Sequence, residues 1–283
     1  HHSLGSLADK INRLNLISLR IAKLLGIDGI PCSRAANLCK ADLLTGIVNE
    51  FPELQGIAGQ YLAKLDGESQ AVSLAIREHY LPRYSGDVLP KTKAGEILSL
   101  ADKLDTLVGL FLVSEGPTGE KDPHGLRRSA LGVIRILVEK KIDLDLVTLV
   151  RISADIYSDT LEIKNKEGES NAINFMTERY PSIYSARDFA PDELAAAMAV
   201  RPTRPLDIDR RLKAIKDFRK GTHSKNLISG YKRIHNILKK TKNMENILLQ
   251  QALFVESSEV SLANALTQAF EAVQLSLEKN NYT

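Results

Sequence analysis

The 283 residues carry 43% hydrophobic and 26% charged side chains, the balance of a globular protein with one large or two ordinary domains. No stretch approaches the roughly 18 consecutive apolar residues that cross a bilayer. The start lacks the basic patch and apolar core of a signal peptide, so a cytoplasmic location without a membrane partner is expected. The net charge of +3 is unevenly spread, because Arg201 to Asn243 holds fourteen Lys/Arg against three Asp/Glu. That asymmetry is the footprint of a polyanion-facing surface, and its plainer alternative is a solvated helix face.

Helical periodicity runs through nearly every segment, and sustained strand alternation is absent, so the predicted fold class is all-α. His1-His2 reads as the remnant of a purification tag. Ser6-Leu7-Ala8-Asp9 has the form of a capping box, and Ile11, Leu14, Ile17 or Ile21, and Leu24 follow on one face up to Gly26. Further helices are expected over about 33–49, 54–65, 68–80, 92–113, 125–140 and 144–158. Cys32 and Cys39 have neither the number nor the spacing of a disulfide framework or a zinc site, and read as reduced packing thiols. In 92–113 the stripe Ile97, Leu100, Ala101, Leu104, Val108 and Phe111 is the expected buried face.

Tyr80–Pro90 and Glu115–His124 carry Pro and Gly and read as loops within a bundle. The polar stretch Leu161–Ser170 reads as a boundary. Arg201-Pro202-Thr203-Arg204-Pro205 then forces an extended turn before long helices near 206–219, 225–242 and 261–279. The resulting expectation is a helical domain over 1–163, a linker region over 164–205 and a second helical domain over 206–283. The 225–242 helix is expected to bury Leu227, Tyr231, Ile234 and Leu238, leaving Lys232, Arg233, Asn236, Lys239 and Lys240 on its exposed flanks. Arg127 and Arg128 fall in the first turn of a helix, where cations oppose the helix dipole. Phosphate contact and a simple ion pair are the two readings of them.

Six strings carry a resemblance. LGSLADKI (4–11), LCKADLLTGIVNEFPELQGIAGQYLA (38–63), ILSLADKLDTLVGLF (97–111), KDPHGLRRSALGVIRILVEK (121–140), RPTRPLDIDRRLKAIKDFR (201–219) and YKRIHNIL (231–238) resemble the β subunit of bacterial heterotetrameric glycyl-tRNA synthetase. The resemblance implies a helical domain similar to HD-type phosphohydrolases, followed by an anticodon-binding helical domain related to that of arginyl-tRNA synthetase and incomplete here. It implies glycine tRNA and the synthetase α subunit as partners, in an α2β2 assembly. ATP and Mg would act through the α subunit, with no cofactor and no catalytic residue in this chain. The family's N-terminal half is not part of this sequence.

An HD phosphohydrolase holds a divalent metal on early His residues, a His-Asp pair and a late Asp. No His-Asp dipeptide occurs here. Lys40-Ala41-Asp42 stands at the early position, His79 at an accessory one, and Asp102 and Asp105 at the late one. A donor set interrupted by a lysine suits no metal, so the centre reads as vestigial, with Lys40, Asp42 and Asp102 as a buried ion-pair cluster. The rival reading is a residual metal-dependent phosphohydrolase, and a third is a scaffold for subunit association. Under the tRNA-binding reading Arg127, Arg128, Arg201, Arg204, Lys232, Arg233, Asn236, Lys239 and Lys240 are the candidate RNA contacts. No Ser-His-Asp, P-loop or adenylate-forming constellation is present.

Overall fold

The computed structural model describes residues 1–117, 121–159, 165–222, 224–239, 250–278 and 282. Among them there is no β-strand, and the chain is all-α. The capping box forms as the sequence predicts: the Ser6 hydroxyl accepts from the Asp9 amide and the Asp9 carboxylate from the Ser6 amide, opening α1 (Leu7–Leu24). The expected 33–49 helix instead breaks into α2 (Ile30–Leu38), a 3-10 turn at Ala41–Leu44 and α3 (Gly46–Glu50). Thr45 adopts an extended backbone and its side chain caps α3, which a continuous helix would forbid. α4 (Ile57–Leu65) and α5 (Gln70–Glu78) follow, packed on each other, with α5 also against α2.

α6 (Lys93–Leu112) is the central helix, in contact with α1, α2, α5, α7 (Leu126–Glu139), α8 (Leu146–Ser158) and α9 (Gly168–Thr177). It is buried nearly all round. Beyond the expected stripe, in which Phe111 is only partly buried, Leu98, Leu107 and Leu110 are enclosed as well. α8 approaches α6 so closely that a Cβ at Gly109 would stand 2.3 Å from the Tyr157 hydroxyl. That hydroxyl donates to the Asp105 carbonyl at 2.9 Å.

The backbone packs into two units, His1–Ala190 with Pro202–Leu206, and Pro191–Arg201 with Asp207–Thr283. The 164–205 stretch is therefore not a linker. Asn165 donates to the Leu112 and Phe111 carbonyls, and α9 buries Ala172 and Met176 in the first core. α10 (Tyr180–Ser185) adds buried Tyr180 and Tyr184 to that unit. Thr203 and Arg204 are also bound into it, through Leu146 and Asp143. The second unit contains α11 (Pro191–Met198), most of α12 (Pro205–Lys220), α13 (Ser224–Leu238) and α14 (Ser257–Glu278).

Candidate functional site

The first unit encloses a charge cluster where α1, the turn after α2, the end of α5 and α6 meet. Lys40 is 5% exposed, and its ammonium lies 3.2 Å from Asp102 Oδ2 and 2.8 Å from His79 Nε2. It also sits over the Tyr80 ring at 4.1 Å. His79 Nδ1 is 2.6 Å from the Ile76 carbonyl oxygen. That carbonyl can only accept, so Nδ1 carries the proton and Nε2 faces Lys40 as an acceptor. Burial, and then the Lys40 charge, hold His79 well below the ordinary histidine range. Burial alone would raise the Asp102 carboxyl, but the Lys10 and Lys40 ammoniums reverse this and hold it well below the carboxylate range.

Three further cations belong to the cluster. Lys10 lies 3.0 Å from Asp102 Oδ1 and 2.9 Å from Asp105 Oδ2, while Arg13 Nε donates to Asp105 Oδ1 at 2.6 Å. Lys103 donates to the Leu81 carbonyl and to Ser99 Oγ, both at 2.8 Å, and burial pushes its ammonium down to about 8. The sequence reading singled out none of these three. A signal existed for Lys10: positions 10, 14, 17 and 21 share one face of α1, and the last three are fully buried.

Asp42 is not a member of this cluster. Its Oδ2 accepts from the Gly56 amide at 2.6 Å and the Gly59 amide at 3.2 Å, and so satisfies the start of α4. The expected Lys40–Asp42–Asp102 grouping is thus corrected to Lys10–Lys40–Asp102, with His79 as acceptor. A divalent metal, which the expected resemblance to HD phosphohydrolases would imply, does not fit these residues. An ammonium already bonds both the histidine and the aspartate that would ligate it, and Asp105 is occupied by Arg13 and Lys10. The two cysteines, both buried, are free thiols pushed up by burial to about 11 for Cys32 and about 12 for Cys39.

The second candidate surface is α13. Leu227, Tyr231 and Ile234 are 65%, 66% and 58% exposed, and Leu238 is exposed too, so the expected burial of that stripe is overturned. Periodicity identifies an apolar stripe without revealing whether anything covers it, and among the described residues only Ser224 of α13 is buried. Lys225, Lys232, Arg233, Asn236 and Lys239 are exposed. None of the four cations among them pairs with a carboxylate among the described residues. Lys240 lies outside the described residues. α12 differs, because Arg211, Lys213, Arg219 and Lys220 are matched by Asp207, Asp209, Asp192 and Asp217.

The other expected contacts are scattered. Arg201 is exposed with φ at 49°, while Arg204 donates to the Asp143 carbonyl and carboxylate at 3.1 Å. Arg127 and Arg128 do fall in the first turn of α7, where Asp122 accepts from the Leu126 and Arg127 amides. That carboxylate offsets the unfavourable placement of cations at a helix start.

The sequence profile described as glycyl-tRNA synthetase beta subunit matches residues 1–199. This chain belongs to that family. A glycine–tRNA ligase beta subunit of Acinetobacter baumannii is 40% identical over 280 residues, covering 99% of this chain and 40% of the relative. Those of Hahella chejuensis and of Janthinobacterium sp. (strain Marseille) are 41% and 38% identical over 283 residues. The chain thus spans about 40% of the length of these β-subunit relatives. Among the described residues no helix is long and apolar enough to cross a membrane.

Proposed function

We propose that this chain is the tRNA-gripping part of the β subunit of glycine–tRNA ligase, which joins glycine to its tRNA using ATP. In this reading the second unit is an anticodon-binding domain. The first is an HD-type bundle whose metal has been replaced by an internal ion-pair network. ATP and Mg would be handled by the α subunit, the expected partner in an α2β2 assembly. The observation that carries the proposal is α13, whose Lys225, Lys232, Arg233 and Lys239 stand exposed and unneutralised while the neighbouring cations of α12 are matched by acids. Such a row attracts phosphates irrespective of sequence. Arg233 and Asn236 add the donors that could read splayed bases.

The test uses full-length β subunit paired with its α partner. Changing Lys232 or Lys239 to Ala should weaken binding of all tRNAs alike and lower the log–log salt slope by roughly 0.7 to 0.9 per contact. Removing Asn236 or Arg233 should cost about 1–3 kcal/mol for the glycine tRNA and little for others. Wild-type affinity and slope throughout would leave the uncovered stripe of Leu227, Tyr231 and Ile234 as a surface for subunit association instead.

A further inference from the structure

Tyr231 and His235 stand at positions i and i+4 of α13, so their side chains meet on one face of the helix. The two ring centroids are 5.9 Å apart and the ring planes lie within 19° of parallel. Both residues are exposed, so this flat pair is open to solvent rather than packed into a core. Lys232, His235 and Lys239 follow at i, i+3 and i+7, a row in which a lysine flanks the imidazole on either side. Tyr231 borders that row on one side and Asn236 on the other. Neither lysine pairs with a carboxylate among the described residues, and α13 itself contains no Asp or Glu.

We infer that the Tyr231–His235 pair is a stacking ledge for one unpaired RNA base, with Lys232 and Lys239 holding the phosphates beside it. The inference rests on the RNA-binding reading above and adds a preference that cations alone do not supply. A row of lysines attracts any polyanion, duplex RNA included. The bases of a duplex already stack on one another, whereas an unpaired base has a free face to lay on a ring. Every base has such a face, so the ledge selects single strands without selecting sequence. Sequence is left to Arg233 and Asn236, beyond the lysine row. Charge complementarity decides the occupant, because a face with cations and no acid suits a polyanion better than an apolar partner helix. Aromatic side chains make up only 5% of the chain, so the ledge takes a single base rather than a long track of them.

The test uses full-length β subunit paired with its α partner and three end-labelled ligands, read by fluorescence anisotropy. One is a short strand of abasic ribonucleotides with a single central 2-aminopurine, a base whose emission falls when it stacks. The second is the wholly abasic strand, which has the same charge, and the third is an RNA duplex. The 2-aminopurine strand should bind roughly tenfold tighter than the abasic one, the ratio one base–aromatic stack supplies, and its emission should drop. Tyr231→Leu keeps apolar bulk without the ring, and should remove both effects while duplex affinity and circular dichroism stay unchanged. Tyr231→Phe should keep both effects, and His235→Ala should weaken them. Equal binding of the two strands by the wild type, or a ratio that survives Tyr231→Leu, overturns the inference. Loss of the ratio in Tyr231→Phe also overturns it, because the hydroxyl and not the ring would then make the contact. A change in sedimentation of the α–β assembly with Tyr231→Leu would assign the face to subunit contact, and overturns it as well. The RNA-binding reading fails separately, if Lys232→Ala and Lys239→Ala leave duplex affinity and salt slope at wild-type values. A failed ledge leaves those two losses in place.

Discussion

Asp102 sits between two ammonium groups, Lys10 from α1 and Lys40 from the turn after α2, at 3.0 and 3.2 Å. Replacing it with Ala leaves two enclosed cations facing each other, and removing one partner of a buried pair typically costs about 3 kcal/mol or more. The melting temperature of Asp102→Ala should fall without any change in metal content, and an unchanged value would sink the ion-pair account. His79 makes a second prediction. Its native form is held neutral well below the ordinary value of 6.5, whereas the unfolded chain takes up its proton near that pH. Below about pH 6.5 the unfolded state therefore binds more protons, and stability should decline toward acid by up to about 1.4 kcal/mol per pH unit. His79→Gln should flatten that limb in urea titrations at successive pH values. An identical slope in the variant would mean another group titrates there. The pair Lys40 and Asp102 was legible in the sequence because short strings carried them. Lys10, Arg13 and Lys103 were not, since only packing brings α1 against α6.

Among the elements, α6 was the most readable, because a strong apolar stripe without proline fixes both helix and burial. Its full enclosure was harder to see: Glu96, Lys103 and Asp105 lie buried among apolar neighbours and are held by partners remote in sequence. The α6–α8 contact gives a test at this scale. A methyl group at Gly109 would meet the Tyr157 hydroxyl at 2.3 Å, well inside contact distance. Gly109→Ala should destabilise the protein by about 1–3 kcal/mol in denaturant unfolding, the usual range for overpacking. Part of that loss should return in a Tyr157→Phe background, which removes the clashing oxygen, and strict additivity of the two changes would refute the contact. For α13 the apolar stripe was read correctly and its burial wrongly. Helical period reports a face and says nothing about whether another element lies upon it.

For the whole molecule, the two units differ in how much they enclose. The first contains an extended core around α6, whereas α13 buries only Ser224 and α14 exposes Val260, Leu262, Leu266 and Phe270. Helices with few buried contacts open locally at low free energy. Trypsin should therefore cut first within α13, at Lys225, Lys232, Arg233 or Lys239, and leave a slower-digesting fragment that retains the first unit. Initial cleavage at Arg20 or Lys23, on the exposed face of α1, would contradict this order. The all-helical class was legible from periodicity alone. The division into units was not, because the polar run before Ser170 resembles a boundary although Asn165 and α9 are anchored to α6.

Lys40 changes what the fold depends on. A bound ion stabilises its host in proportion to the logarithm of its free concentration, so scarcity or a chelator can withdraw it. The ammonium of Lys40 is covalently attached and enclosed beside His79 and Asp102, and its local concentration is set by the chain itself. The positive charge that Lys40 supplies at the centre of this bundle is thereby independent of metal supply.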